Sequence, residues 1–139
     1  MSKRMTKGEF QESLGAFNPV GHSVLAFADD QAAGEAAKAA QNAGFGAADI
    51  LVFTSAELFP DLQEMMRNAS GAAGFGYEIT LMRRYMTLAG EGAGWVIVYS
   101  PAEAQVVQVT EIAKRCGARS AVHYGRLLHE DLILSLIHI

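Results

Sequence analysis

Cys116 is the only cysteine among 139 residues. A single thiol excludes an intramolecular disulfide and any metal cage built of cysteines alone. Cys116 reads as a small buried hydrophobe near a helix end rather than as a reactive group. Charge is also sparse: Asp, Glu, Lys and Arg make up 19% of the chain, and the net charge is −4. The chain therefore lacks the excess of cations that displaces counterions from phosphates, and nucleic acid is a disfavoured partner. The same balance argues against a polybasic membrane anchor. No apolar run approaches the ~20 residues that a bilayer-spanning helix needs, so no membrane is expected. The basic N-terminus, Met1 to Lys7, lacks the apolar core of a secretory signal. A cytoplasmic location is the expectation.

What the chain does have is apolar bulk. Half of its residues are hydrophobic, enough for the core of one domain. Residues 1–19 are polar and aperiodic and read as a flexible arm. Residues 20–133 read as one domain. The last six residues, Leu134-Ser135-Leu136-Ile137-His138-Ile139, form an apolar run without a turn. CTG TCT CTT ATA CAC ATC encodes the same six residues, and that is the transposon mosaic end used in preparing sequencing libraries. Residues 134–139 are therefore read as a non-native tail, and His138 is set aside.

Within the domain one pattern occurs twice. His22 to Ala28 is a short apolar run with the length of a buried strand. Asp29 or Asp30 can cap the helix that follows, because a carboxylate oxygen accepts from the first free backbone N–H groups. That helix carries Ala32, Ala36, Ala39, Ala40 and Ala43 on its inner face and stops at Gly44. Ile50 to Phe53 is the second strand. Trp95 to Tyr99 then opens the repeat. Ser100, Pro101 and Glu103 read as cap, first helical residue and capping-box partner. Val106, Val109, Ile112, Ala113 and Cys116 follow at helical spacing, Gly117 ends the helix, and Ser120 to Tyr124 is the fourth strand.

Two β-α-β units in tandem predict an α/β (α+β) domain on the ferredoxin-like plan. Its sheet would be four-stranded and antiparallel, in the order 4-1-3-2; a fully parallel, flavodoxin-like sheet is the rival. The insert between strands two and three, residues 54–93, reads as two helices. One has a stripe of Leu58, Leu62, Met65 and Ala69. The other presents Leu81, Tyr85 and Leu88, with Arg83 and Arg84 opposite. Alternation suggests Leu25, Phe27, Trp95, Ile97 and Tyr99 on one sheet face and Val24, Ala26, Val96 and Val98 on the other. Both faces are apolar, so the insert is expected to cover the one left by the repeat helices.

The paired units, the glycine-rich link Gly71-Ala72-Ala73-Gly74-Phe75-Gly76, and the stretches Ser100-Pro101-Ala102-Glu103 and His123-Tyr124-Gly125-Arg126 carry a resemblance. Over residues 19–133 the chain resembles small proteobacterial proteins similar to the general stress protein domain of the heat-induced type. The resemblance implies a cytoplasmic, stress-associated and non-enzymatic module.

Chemistry-bearing residues are few. No glycine loop has the dinucleotide or phosphate-binding spacing, and no cofactor is expected. Ser55 and Ser100 read as helix caps, without a local His/Asp arrangement, so no catalytic residue is assigned. His22 opens the first strand and His123 lies near the end of the fourth. If those strands pair antiparallel, the imidazoles come within one or two residues of each other, next to Tyr124 and Arg126. No third ligand at metal spacing accompanies them, and no metal is expected. His22, His123, Tyr124, Arg126, Arg83 and Arg84 are the candidate ligand or partner contacts.

Three functions follow. The first is a regulatory module acting through an unknown protein partner or as a homodimer. The second is a small-molecule sensor or minor enzyme with a cleft near His22 and His123. The third is a single-stranded nucleic-acid binder that stacks bases on Phe27, Trp95 and Tyr99. Against the third, Glu91 and Ala93 stand where a basic and an aromatic residue belong.

Overall fold

The computed structural model describes residues 4–12, 20–69, 76–125 and 129–133. Its elements run α1 (Lys7–Glu12), β1 (His22–Phe27), α2 (Asp30–Asn42), β2 (Ile50–Phe53), α3 (Ser55–Ala69), α4 (Gly76–Gly90), β3 (Gly94–Tyr99), α5 (Glu103–Arg115), β4 (Ser120–Tyr124) and β5 (His129–Asp131). The strands form one antiparallel sheet in the order β2-β3-β1-β4-β5. β1 and β3 are neighbours, so the parallel rival is excluded. The expected four-stranded 4-1-3-2 sheet is corrected to five strands. The fifth, His129-Glu130-Asp131, is short and polar and has no strand signal of its own; pairing with β4 makes it one.

Local chemistry explains the helix boundaries. The Asp29 carboxylate accepts from the Ala32 N–H at 2.8 Å and starts α2. The Thr54 hydroxyl and the Glu57 carboxylate cap each other's backbone N–H groups at the start of α3, at 3.1 and 2.9 Å. Thr54 is thus the cap, and Ser55 instead donates its hydroxyl to the Ala89 carbonyl, tying α3 to α4. The start of α5 also differs from expectation. Its cap position is Ala102, whose N–H donates to the Gln105 side chain at 3.0 Å. Ser100 is fully buried and points its hydroxyl inward.

The two sheet faces are covered by different pairs of helices. Leu25, Phe27, Val96, Val98 and Ala121 pack against Ala33, Ala36 and Ala40 of α2 and Val109, Ile112 and Ala113 of α5. Val24, Ala26, Trp95, Ile97, Val122 and Tyr124 pack against Leu58 and Leu62 of α3 and Leu81, Met82, Tyr85 and Ala89 of α4. The side chains of Met65 and Ala69 lie outside the described ones. The expected face assignment is corrected for β1. Register pairs Val24 with Ile97 and Leu25 with Val96. Leu25 and Phe27 therefore belong with Val96 and Val98, not with Trp95 and Ile97. Alternation within each strand was readable; the relative phase of two strands was not. Trp95 and Phe27 are both 0% exposed.

Part of the stretch read as a flexible arm is tied down. Met5 packs against the α3/α4 core, Arg4 pairs with Asp49 at 3.0 Å, and Lys7 pairs with Glu57 at 3.1 Å. The Lys7 ammonium also stands 4.6 Å from the centre of the Phe53 ring.

The methyl-only inner face of α2 lets its start approach the sheet at Gly94. A β-carbon there would lie 2.6 Å from the Asp29 carbonyl oxygen and 2.8 Å from the Ala33 β-carbon. Gly94→Ala is therefore expected to cost about 1–3 kcal/mol, the range for overpacking a tight core. Chemical denaturation checks this, and an unchanged midpoint would mean that the helix retreats freely.

Candidate functional site

Three strand ends meet at one end of the sheet: the start of β1, the exit of β3 and the end of β4. Backbone bonds lock them. The Ser100 N–H donates to the Gly21 carbonyl at 2.8 Å, and the Gly21 N–H donates to the Tyr124 carbonyl at 2.7 Å. Register places Ser23 opposite both Val98 and His123.

A polar chain crosses these ends on the α2/α5 side of the sheet. Ser100 Oγ donates to the Val98 carbonyl at 3.1 Å. Ser23 Oγ lies 2.8 Å from Ser100 Oγ and 2.9 Å from His123 Nδ1. Each hydroxyl carries one proton, so a chain that ends in donation to the Val98 carbonyl can run in one direction only. Ser100 gives its proton to Val98. Ser23 then donates to Ser100, and His123 Nδ1–H donates to Ser23. Ser23 and Ser100 are fully buried, and His123 is 8% exposed.

Burial pushes the His123 imidazole below its ordinary value of 6.5; Glu130 opposes this, and His22 adds to it. A neutral ring with its proton on Nδ1 satisfies both the burial and the hydrogen-bond chain.

His22 has a different environment. It alternates with Ser23 and faces the other side of the sheet. Its Nδ1 donates to the Val20 carbonyl and its Nε2 accepts from the Met5 N–H, both at 3.2 Å. Its ring lies 4.9 Å from that of Tyr99. The expected shared cleft between His22 and His123 is therefore corrected: His123 sits opposite Ser23, one residue out of phase with His22, so the pleat sends the two rings to opposite faces.

Tyr124 shares the His22 face but is closed in. It is fully buried and its hydroxyl meets that of Tyr85 at 2.9 Å. Arg84, read as lying opposite the apolar stripe of its helix, is 40% exposed and pairs with Asp131 of β5 at 3.1 Å. Arg83 is exposed, and Arg126 lies outside the described residues. Among the described residues, no three His, Cys, Asp or Glu side chains group as metal ligands. No described helix is long and apolar enough to cross a membrane.

Sequence reasoning missed Ser23, Ser100 and Tyr85 as a polar framework. A serine inside the apolar run His22 to Phe27 was the available signal. Ser100 was hidden because Ser-Pro before a helix reads as a cap. Compared with protein-family models, curated proteins and solved structures, the chain matches none.

The burial of His123 has a consequence for pH. Its folded pKa lies below the unfolded one, so between the two the unfolded chain binds more protons. This contribution to stability is complete above the unfolded value and is lost as pH falls through the folded one. The Tm is expected to fall on acidification from about pH 7.5 to about pH 5.5, and to fall less in His123→Gln. Thermal melts of both proteins across that window check it; parallel curves would show that another group carries the effect.

Proposed function

We propose that this chain is a non-catalytic cytoplasmic module that regulates through protein contacts, as its resemblance to heat-induced general stress proteins implies. The carrying observation is the direction of the Ser100–Ser23–His123 chain. A serine nucleophile needs an imidazole that takes its proton. Here donation from Ser100 to the Val98 carbonyl makes His123 the donor to Ser23. The hydroxyls act as fasteners for three strand ends.

The tandem β-α-β units and the adjacency of β1 and β3 support a ferredoxin-like plan with an added edge strand. The nucleic-acid reading loses its basis because Phe27 and Trp95 lie beneath helices. The small-molecule reading keeps one favourable observation: Trp95 Nε1 and Ser120 Oγ are buried without a hydrogen-bond partner among the described residues. Contact surfaces consistent with the leading reading include exposed Arg83 and Val107, which is 62% exposed on α5.

A fluorophosphonate probe tests the claim of no nucleophile. The folded chain is expected to stay unlabelled at Ser23 and Ser100 by peptide mass spectrometry. Labelling that Ser23→Ala abolishes would overturn the proposal. A photo-crosslinker at Val107, installed in cells, addresses the contacts. A product of one discrete mass supports them, with doubled chain mass signifying a homodimer, and the absence of any discrete product counts against them.

A further inference from the structure

Residues 4–7 reach four separate parts of the fold. Arg4 pairs with Asp49, just before β2, and Lys7 pairs with Glu57 in the first turn of α3. The Met5 side chain packs against the α3/α4 core, and the Met5 N–H donates to His22 Nε2 of β1 at 3.2 Å. Thr6 and Glu9 then cap each other's backbone N–H groups, at 3.2 and 2.9 Å, which starts α1 directly behind this segment. The two ion pairs face water, with Arg4 53% and Lys7 39% exposed, and pairs of that kind contribute little. The bond from Met5 is different, because its acceptor is buried: His22 is 1% exposed.

His22 spends both ring nitrogens on backbone groups of opposite kind. The Val20 carbonyl can only accept, so Nδ1 carries the proton. The Met5 N–H can only donate, so Nε2 presents its lone pair. The neutral ring with its proton on Nδ1 fits both. A second proton has Nε2 as its only place, and there it would meet the Met5 N–H head-on. The docked segment and an imidazolium at His22 therefore exclude each other.

The groups around the ring do not change this. Tyr99 of β3 lies alongside, with ring centres 4.9 Å apart. Tyr124 of β4 shares the face, and its hydroxyl pairs with that of Tyr85 of α4. His123 of β4, on the opposite face, repels a second positive charge. α3 brings the carboxylates of Glu57 and Asp61, α4 the Arg84 guanidinium, and the segment itself Arg4 and Lys7. Such charges bias how readily the ring takes a proton, but none turns a protonated Nε2 into an acceptor.

We propose that residues 4–7 form a strap, latched by neutral His22 through the Met5 N–H and released when His22 takes up a second proton. The released state exposes an imidazole with an ordinary pKa of about 6.5. It binds more protons than the latched one, so latching is complete above that value and weakens by up to about tenfold for each pH unit below it. Glu57 is held below its ordinary value of 4.5 by the Thr54 N–H and by Lys7, so the Lys7–Glu57 pair survives across this window and keeps the strap tethered. Release bares the Met5 seat on the α3/α4 core and leaves the strand pairing of β1 in place. The latch is independent of the protein-contact reading.

Amide hydrogen exchange of the full 15N-labelled chain tests this, with each rate taken relative to an unstructured peptide at the same pH. Protection of the Met5 N–H is expected to fall roughly tenfold between about pH 6.5 and about pH 5.5. The Val24 N–H, inside the central strand, is expected to keep its protection. His22→Gln, whose amide oxygen accepts without titrating, is expected to make Met5 protection independent of pH, whereas His123→Gln keeps the fall. If His22→Gln does not fold, the wild-type His22 ring shifts are followed instead, and their titration midpoint is expected to coincide with the loss of Met5 protection. Flat Met5 protection overturns the latch, as does an equal loss at Val24, which is global unfolding. A fall that persists in His22→Gln, that vanishes in His123→Gln, or that is displaced from the His22 midpoint also overturns it.

Discussion

The register of β1 against its two neighbours is the constraint on which the rest depends. β1 is flanked by β3 and β4, and both pairings fix which side chains meet. A slip of one residue would exchange the two faces of the strand. His22 would then point toward α2 and α5, and Ser23 toward the insert helices. The hydroxyl chain would lose Ser100 and His123 together. The backbone bonds at Gly21 hold the register at the strand start, where Tyr124 and Ser100 are both tied to it. Side-chain bonds from Ser23 repeat the same restraint one residue on.

Two polar arrangements sit on opposite faces of this sheet and solve the cost of burial differently. On the α2/α5 side, Ser23, Ser100 and His123 satisfy one another and end on a carbonyl. A completed chain of that kind adds specificity without leaving an unpaired group. On the insert side, the Tyr85 and Tyr124 hydroxyls pair, while Trp95 Nε1, Ser120 Oγ and Arg84 Nε have no partner among the described residues. Each such group costs about 1–3 kcal/mol, against a typical net stability of ~5–15 kcal/mol for a whole domain.

What was legible in the sequence was local, and what was hidden was relational. Asp29 as cap, Gly44 and Gly117 with φ of 107° and 74° beyond their helices, and the four apolar strands all follow from short-range chemistry. The phase of Leu25 relative to Trp95 does not, because alternation is defined within a strand and pairing is set by the whole sheet. Ser100 illustrates a conflict of local rules. Its Ser-Pro setting is a good helix start, yet a buried serine beside Ser23 has partners that no sequence window contains. β5 is the extreme case: three polar residues become a strand because β4 offers an open edge. The histidine pair was misjudged for the same reason, since strands that pair antiparallel bring His22 and His123 near in sequence register but leave their faces to parity.

The helices add an asymmetry that bears on how the molecule could respond to anything it meets. α2 meets the sheet through methyl groups and comes so near at Gly94 that a single β-carbon would clash. Such a contact has no slack, because close-packed surfaces without long side chains cannot rearrange by changing rotamers. The insert is built from larger and more adaptable groups: Leu58, Leu62, Leu81, Met82 and Tyr85, with Met86 and Leu88 at its margin. Its hold on the sheet includes the Arg84 to Asp131 ion pair, which reaches only the edge strand β5. A half-exposed pair of that kind contributes little. The α2 side, held against the sheet at Gly94, is therefore the closely fixed one. The α3/α4 layer is the part whose packing can change while the register of the sheet stays intact.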